Sequence, residues 1–340
     1  MKRKKIKKIV LSVLIGVLVA YLSFFAFSFS KKKVWQIKGE KEKINFLSEN
    51  KEIEKRGLFS GLPCSFPKKR AFAVVLAEYP QTMPLSGVSF ADLVIEGPVA
   101  SPMGITRLIA FFQCQRPKEI GSIRSARPYM VDLALGFDSI FVSWGGCKAA
   151  ISKIKKLSLD WLDGRVNVAG AFFRKTYIPA PHNGFSRFDG MEKASEILGF
   201  RKETNFEGFK FSEKISGFEF KKGEKEIFID YFYPVKYVYD EKRKVYLRYW
   251  RGERMEDLLG GEVFAKNLIL MKTKMGILSR GVVDVDVIGK GEARIYIEGK
   301  MIEGYWKKES ERSKLSFFDK KGKEIQFKPG PIWIEIVNKF

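Results

Sequence analysis

Short apolar runs separated by turn residues dominate the chain from residue 68 to residue 200. Runs of strand length predict β-strands in AFAVVLAEY, ADLVIEG, GITRLIAFFQCQ and FDSIFVSWGG. Apolar positions at helical spacing predict helices in RPYMVDLALG, CKAAISKIKKL and MEKASEILGF. The last helix is expected to open after Asp189 as N-cap and to close at Gly199. This alternation predicts an α/β domain over residues 68–200, with a mixed sheet and flanking helices.

The pattern changes from about Ile227 onward. IFIDYFYPVKYVYDEKRKVYLRYWRG is rich in aromatic and β-branched residues, and the later runs are separated by EGK, DKKGK and KPG. These features predict antiparallel hairpins, and therefore a smaller, mostly antiparallel β domain over residues 226–340. A Lys-, Glu- and Gly-rich junction at 201–225 precedes it. Because side chains alternate along a strand, we expect the aromatic residues of this domain to serve mainly as core.

The longest apolar run lies near the N-terminus. MKRKKIKK is followed by uncharged residues from Ile9 to Phe29, and then by three lysines. About 20 apolar residues match the hydrocarbon core of a bilayer, whereas a cleavable signal has a shorter apolar region. We therefore predict a signal-anchor helix, transmembrane through residues 9–29, within residues 1–30, and a charged stalk over residues 31–67.

Six basic residues precede the apolar run and three follow it, which favours a cytoplasmic N-terminus. The expected location is the cell membrane, with a single pass and the bulk of the chain outside the cytoplasm. The triplet Ala26-Phe27-Ser28 resembles a small-residue cleavage site and keeps open a secreted protein whose signal is removed. Both alternatives export the rest of the chain.

Basic residues outnumber acidic ones, 62 Lys and Arg against 39 Asp and Glu. The formal net charge is +23, and nine of the basic residues lie in the first 33 positions. Outside the membrane such a balance favours an anionic envelope polymer or a lipid headgroup as partner. Nucleic acid is ranked last because acidic residues are interleaved with the basic ones. A solvated Lys/Glu surface remains the alternative without any partner.

The three cysteines, Cys64, Cys114 and Cys147, show no CxxC spacing. A structural zinc site needs four ligands, and the single histidine cannot complete the set, so no metal site is predicted. Three buried thiols are the preferred interpretation. One disulfide with one buried thiol is the alternative in an oxidising compartment.

A candidate anion site centres on arginines. Arg107 opens a predicted strand, while SIRSARPY supplies Arg124, Ser125 and Arg127 beside a Gly-Ser turn. Guanidinium groups can bind the oxygens of a phosphate, pyrophosphate or carboxylate group in a bidentate manner. The alternative is that these arginines pair with carboxylates such as Asp132 or Glu96.

Two further segments are expected at the same site. Gly145 and Gly146 stand between a predicted strand and a predicted helix, where backbone N–H groups can hold an anion. APHNGFS presents His182 and Asn183 on a loop bounded by proline. A tight connection at the glycines, and a structural hydrogen bond at His182, are the corresponding structural alternatives.

Catalytic motifs are scarce. The chain lacks GxSxG, GxxxxGK[ST] and HExxH, and the sequence leaves open which cofactor, if any, it uses. Asp92 and Glu96 are four residues apart in ADLVIEG, so a strand places them on one face, where either could hold a metal ion or act as a base. They leave open a phosphoryl or glycosyl-phosphate transferase acting on a lipid-linked polymer.

The order of several motifs resembles a known family. Seven segments are similar, in this order, to the N-terminal domain of the YerB family of bacterial lipoproteins. They are SGVSFADLVIE, GITRLIAFFQ, IGSIRSARPY, FDSIFVSWGG, LDG, FFRK and APHNGFS. GKGEARIYIEGKMIEGYWKKES and FFDKKGKEIQFKPGPIWIEIV resemble its small C-terminal domain. The resemblance covers roughly residues 68–340 and implies an extracytoplasmic, membrane-tethered protein of two domains without an established activity. The motif positions are Glu96, Thr106, Arg107, Arg124, Ser125, Arg127, Gly145, Gly146, Asp163, Arg174, Pro181, His182 and Asn183.

Three departures from the family pattern change what the resemblance implies. VSWGGC stands where the family has VHAGGS, so Ser143 replaces a histidine, and SPMGITR lacks the acidic residue expected before GITR. Both changes argue against catalysis by those groups. The lipid-bearing cysteine typical of the family is absent, which implies a protein anchor in place of a lipid. A looser similarity to the LytR-CpsA-Psr glycopolymer transferases, which use arginines on a polyprenyl pyrophosphate, implies a phosphate ligand.

Overall fold

A computed structural model describes residues 55–101, 104–278 and 281–340. Residues 55–340 form one compact unit. The predicted anchor helix and the first part of the predicted stalk lie outside the described residues. Within the described ranges, no helix has both the length and the apolar character needed to cross a bilayer.

The part of the chain up to residue 200 alternates strands and helices. Its strands are β1 (Phe72–Ala77), β2 (Leu93–Pro98), β3 (Thr106–Phe112), β4 (Ile120–Gly121), β5 (Ile140–Ser143), β6 (Trp161–Asp163), β7 (Phe172–Arg174) and β8 (Gly184–Ser186). Its helices are α1 (Pro128–Gly136), α2 (Lys148–Lys156) and α3 (Phe188–Ile197), with short 3-10 turns at Pro80–Thr82, Val88–Phe90 and Val168–Gly170. The strands and helices predicted from apolar spacing are therefore confirmed.

The remaining part of the described chain is built of strands. They are β9 (Lys210–Phe211), β10 (Lys221–Lys222), β11 (Glu226–Ile229), β12 (Val235–Asp240), β13 (Val245–Trp250), β14 (Glu253–Arg254), β15 (Phe264–Ala265), β16 (Asn267–Lys272), β17 (Met275–Ile277), β18 (Val283–Val285), β19 (Gly289–Ile297), β20 (Lys300–Lys308), β21 (Ser316–Asp319), β22 (Gln326–Phe327) and β23 (Ile332–Val337). Long hairpins such as β12–β13 and β19–β20 are antiparallel. The fold is thus mixed and sheet-rich, with few helices, as expected.

One central sheet runs through both parts of the chain. Its strand order is β10-β20-β19-β16-β23-β2-β3-β1-β5-β6, with β21 paired to β20. The last strand, β23, lies parallel to both β16 and β2 and so joins the two parts. A second sheet, β11-β12-β13-β14 with β15 on β13, packs against one side of it.

The two faces of the central sheet bury different partners. Alternate residues of a strand point to opposite faces, whereas cross-strand neighbours share a face. Val75 and Ile109 pack with Met130 of α1, on what we call the α1 face. Leu76 and Leu108 pack with residues of the second sheet, on what we call the β12 face. Both faces are apolar, as expected for a sheet covered on both sides.

Residues 55–67, predicted to belong to the stalk, are packed onto the core. Phe59 is 1% exposed and lies 5.5 Å from the Phe111 ring and 4.8 Å from the Phe206 ring, measured between centroids. Cys64 forms a disulfide with Cys114. The first domain therefore starts earlier than the predicted residue 68. The charged residues of this segment predict a stalk, although one aromatic residue within it is buried.

Three smaller predictions also need correction. The preferred interpretation of the cysteines as three thiols is wrong, and Cys147 is the free cysteine among the described residues. Helix α3 starts at Phe188 because Arg187 is extended and occupies the N-cap, so Asp189 lies inside the first turn. The predicted junction is packed onto the protein, since Phe206 and Phe209 belong to the hydrophobic core.

Candidate functional site

The candidate site lies where several strands of the central sheet end. β1 is parallel to β5, and β5 is parallel to β6. β1 and β2 are both antiparallel to β3, so they also run in one direction. The carboxyl ends of these strands therefore share one edge, the usual position of ligand sites in α/β sheets.

The segment SIRSAR runs along this edge. Ile123 bridges Leu76 of β1, and the Arg124 N–H donates to the Val75 carbonyl at 2.9 Å. The Ala126 N–H donates to the Gly145 carbonyl, also at 2.9 Å. These backbone bonds fix Arg124 and the residues that follow across the ends of β1 and β5.

A second loop reaches the same edge. The Ile123 N–H donates to the Gly184 carbonyl at 2.7 Å, and the Ser122 hydroxyl donates to the His182 carbonyl at 2.6 Å. Arg124 donates from Nη1 to the Pro181 carbonyl at 2.8 Å. The structure therefore brings the APHN motif beside the arginines, as the sequence predicts.

The three arginines form what we call the arginine site, defined by Arg107, Arg124 and Arg127. Arg107 donates to the Ser125 carbonyl, and Arg127 donates from Nε to the Val99 carbonyl at 3.1 Å. All their hydrogen bonds within the described residues go to backbone carbonyls. No carboxylate of the described chain lies within 4.0 Å of any of the three guanidinium groups. The predicted alternative, in which they pair with Asp132 or Glu96, is therefore wrong.

The arginines repel one another. Burial lowers the pKa of Arg107 well below its usual value, and the charges on Arg127 and Arg124 lower it further. Burial also lowers the pKa of Arg124, with the charge of Arg127 adding to the effect. Burial lowers the pKa of Arg127 in the same way. The guanidinium of an arginine stays protonated in spite of such shifts, so the site concentrates three positive charges.

Ser125 and His182 complete the polar lining near the arginines. The Ser125 side chain is half-buried, and its carbonyl accepts the hydrogen bond from Arg107. The His182 ring stacks on Tyr79, with 4.8 Å between centroids and 4° between planes. Its Nδ1 atom is buried without a hydrogen-bond partner among the described residues. Burial and the charges of Arg124 and Arg107 lower the pKa of His182, so the ring is neutral at neutral pH.

Asn183 has a different partner. Its Oδ1 atom accepts a hydrogen bond of 2.6 Å from Arg174, whose guanidinium lies 4.2 Å from the centroid of the Trp144 ring. This pair orders the far side of the loop that carries His182. The prediction that Asn183 binds the ligand itself stays a prediction.

The glycine pair is a tight connection. Gly145 has a left-handed φ of 64°, and its N–H donates to Asp163 Oδ1 at 3.0 Å. The prediction that Gly145 offers a free donor to an anion is therefore wrong, because Asp163 already occupies it. A Cβ on Gly146 would lie 3.2 Å from the Ala126 Cβ, a close approach that disfavours a larger side chain at this position.

Ser143 has a structural role. It is fully buried, and its hydroxyl donates to the Gly145 carbonyl at 2.9 Å while accepting a bond of 2.8 Å from Trp161 Nε1. Both bonds support the turn after β5. This position therefore helps to shape the edge of the sheet that carries the arginine site.

The predicted catalytic carboxylates do not reach the arginines. Asp92 is 2% exposed, and it accepts bonds from the Ser60 hydroxyl at 2.6 Å and the Gln113 N–H at 2.8 Å. Glu96 is fully buried and pairs with Arg248 on the β12 face. Arg107 lies opposite Gly97 in the sheet, so it points to the other face. Neither carboxylate that the sequence offers as a metal ligand or base therefore faces the arginines.

Tyr129 belongs to the site although no motif points to it. Its side chain is 1% exposed, and its hydroxyl has no hydrogen-bond partner in the described part of the chain. The hydroxyl lies against Gly97, where an added Cβ would be 2.8 Å from it, and Gly97 pairs with Arg107 across the strands. A tyrosine in the first turn of a helix is equally typical of a core, so the sequence carries no signal for this role.

A cavity of about 310 Å³ lies elsewhere, under β11 and the end of β23. Its lining includes Ile229, Tyr231, Phe232, Leu270, Tyr296 and Val337, and none of the three arginines. We assign the candidate site by its charges and donors, because a small anion needs hydrogen-bond donors more than it needs volume.

Fold and site together define a mixed-sheet protein of two joined parts, whose carboxyl edge carries three arginines without carboxylate partners. The chain belongs to the DUF3048 family, described as a protein of unknown function. The N-terminal domain of that family matches residues 59–201, and its C-terminal domain matches residues 227–334. The family resemblance of the motifs is thereby confirmed.

The sequence and the structure of this chain both match YerB of Bacillus subtilis. The protein of strain 168 named "Putative lipoprotein YerB" is 33% identical over 279 residues, which cover 79% of this chain and 82% of that protein. The crystal structure of YerB protein from Bacillus subtilis matches with a TM-score of 0.73 at 30% identity, covering 84% of this chain and 97% of that one. Both likenesses span the described unit and support its fold.

Proposed function

We propose that this chain is an extracytoplasmic, membrane-anchored protein of the cell envelope that binds a phosphate-bearing or acidic ligand through the arginine site. Its partner is an anionic envelope polymer or a lipid headgroup. The location is supported by the name of the Bacillus subtilis relative, a lipoprotein, and by the apolar residues 9–29 of this chain.

One observation carries the binding proposal. The three guanidinium groups are wholly or partly buried, they repel one another, and no described carboxylate pairs with them. Buried charges without partners destabilise a fold, and the described buried arginines outside this site, Arg70 and Arg248, pair with the carboxylates of Asp160 and Glu96. An anionic ligand would supply the missing counter-charge.

The test is ligand-dependent thermal stability of the full-length chain in neutral detergent. Inorganic phosphate is the probe, compared with chloride at the same ionic strength. Binding to the folded state raises the unfolding temperature by mass action, so we expect a rise with phosphate that chloride does not produce.

The variant and its control make the test specific. The double substitution Arg124→Gln with Arg127→Gln should remove most of the phosphate-dependent rise. Arg254→Gln removes one charge from an exposed pair with Glu262, and this variant should keep the rise. An equal rise in wild type and double variant would show that phosphate binds elsewhere and would overturn the proposal.

A further inference from the structure

The arginine site carries more positive charge than one carboxylate can neutralise. Arg107, Arg124 and Arg127 contribute three charges within one electrostatic neighbourhood, since the charges of Arg124 and Arg127 both act on Arg107. A carboxylate brings one negative charge, whereas a phosphate monoester brings about 1.5 to 2 at neutral pH. A singly charged ligand would therefore leave much of the repulsion in place.

A neutral donor lies close to the arginines, since the charges of Arg127 and Arg107 both act on Tyr129. The Tyr129 hydroxyl is buried without a partner among the described residues and lies against Gly97, the cross-strand neighbour of Arg107. Burial raises the pKa of Tyr129, so the hydroxyl keeps its proton and can only add a hydrogen bond, not a charge. A buried donor without an acceptor is destabilising, which points to an acceptor atom that the ligand supplies.

Several donor groups remain for such a ligand. Arg107 uses Nη1 for the Ser125 carbonyl, and Arg127 uses Nε and Nη1 for the carbonyls of Val99 and Ala126. The Nη2 groups of both arginines make no hydrogen bond within the described chain. A tetrahedral oxyanion offers oxygens in several directions and can accept from both arginines and from Tyr129, whereas a planar carboxylate has only two oxygens.

Resting on the function proposed above, we propose that the arginine site selects a phosphoryl group with two or more negative charges, and that the Tyr129 hydroxyl donates to one of its oxygens. A phosphate monoester and a pyrophosphate share this chemistry. Gly97 contributes to the same binding site, because any side chain at this position would displace the Tyr129 hydroxyl.

The experiment is calorimetric titration of the full-length chain in neutral detergent with acetate, inorganic phosphate and pyrophosphate at constant ionic strength. We expect pyrophosphate to bind at least tenfold more tightly than phosphate, and acetate to bind at least tenfold more weakly than phosphate. Acetate that binds as tightly as pyrophosphate would overturn the charge selection while the proposed anion binding stands. Absence of binding by all three anions would overturn the proposed function itself.

Two tyrosine variants test the donor. Tyr129→Phe should weaken pyrophosphate binding roughly tenfold, as expected for a hydrogen bond to a charged group, and should not lower the unfolding temperature of the free protein. Tyr177→Phe, at a side chain that is 73% exposed, is the matched control and should change neither quantity. Unchanged pyrophosphate affinity in Tyr129→Phe would overturn the role of this hydroxyl. A lowered unfolding temperature of that variant without ligand would do the same, because it would show that the hydroxyl already has a partner in the protein.

Discussion

Arg248 of β13 donates a hydrogen bond to Glu96 of β2, a residue 152 positions earlier in the chain, and both side chains are 0% exposed. The same Nη2 atom lies 2.6 Å from Glu78 Oε1. Glu335 of β23 lies close to them, since the charges of Arg248 and Glu78 act on it, and it accepts a hydrogen bond of 2.6 Å from the Tyr237 hydroxyl. We call Glu78, Glu96 and Glu335 the acid cluster. One guanidinium charge faces three buried carboxyl groups and cannot neutralise all of them. Burial therefore favours protonation of part of the cluster.

The central sheet keeps the acid cluster apart from the arginine site. Thr106 and Arg107 are consecutive in β3 and therefore point to opposite faces. The Thr106 hydroxyl donates to Glu78 at 3.1 Å on the β12 face, whereas Arg107 lies on the α1 face. The acid cluster therefore cannot neutralise the arginines, because the two groups lie on opposite faces of the sheet. The positive charge of the arginine site is available to a ligand.

The acid cluster predicts a pH-dependent stability. Burial and the charge of Glu335 raise the pKa of Glu96 from 4.5 to about 7. The folded state therefore holds a proton in this interval that the unfolded state has released. The stability that Glu96 contributes is complete below pH 4.5 and is lost as the pH rises to about 7, with a change on the order of a few kcal/mol. Denaturant unfolding at the two ends of this interval measures it.

The variant Glu96→Gln isolates this effect. Its free energy of unfolding should fall less with pH than that of wild type over the same interval. His182 acts in the opposite direction, since its lowered pKa makes the folded state gain stability as the pH rises, but it is present in both proteins and cancels in the comparison. Glu309→Gln, at an exposed position, should behave like wild type. Parallel pH profiles for wild type and Glu96→Gln would contradict the prediction.

Repulsion within the arginine site predicts non-additive stability changes in the ligand-free protein. Either single substitution, Arg124→Gln or Arg127→Gln, loses hydrogen bonds to backbone carbonyls but relieves the repulsion between the two charges. The double variant gains that relief only once. Its loss of unfolding free energy should therefore exceed the sum of the single losses by roughly 0.5 to 1 kcal/mol, and the excess should shrink at high salt. A double loss smaller than the sum would indicate that the arginines support each other.

The sequence predicts those features that depend on local pattern. The apolar spacing gives the strands β1, β2, β3 and β5 and all three described helices, because each is specified by its own side chains. The residue types of SIRSAR and APHN also lead to the expectation that the two segments lie at one site. Their meeting follows from short backbone bonds at the carboxyl edge of the sheet, where loops of α/β folds generally converge.

Features that depend on contacts between residues far apart in the chain could not be predicted from the sequence. Nothing in ADLVIEG shows that Glu96 has Arg248 as its partner, because that contact requires the second sheet to pack on the first. The spacing of apolar residues likewise does not predict that β23 lies between β16 and β2. Tyr129 has the spacing of an ordinary core residue, and only the structure shows that its hydroxyl lies against Gly97, the cross-strand neighbour of Arg107, without a partner among the described residues.

The disulfide predicts a redox-dependent stability. Cys64 and Cys114 are 50 residues apart, and closing such a loop restricts the unfolded chain. Reduction should lower the free energy of unfolding by about 2 to 4 kcal/mol. The double variant Cys64→Ala with Cys114→Ala should be destabilised to a similar degree and should not respond to a reductant. Cys147→Ala, which leaves the disulfide intact, should still respond, and an equal response in all three proteins would contradict the assignment.

Phe59 predicts that residues 55–67 stabilise the protein as part of its core. Its ring is 1% exposed among the rings of Phe111, Phe137 and Phe206. Phe59→Ala should lower the free energy of unfolding by about 3 to 5 kcal/mol, the usual cost of removing a buried phenyl group. Phe66→Ala is the matched control, since that side chain is 38% exposed in the same segment and should cost much less. Equal costs for the two variants would contradict the prediction, because truncating a packed ring leaves a cavity and truncating a solvated ring does not.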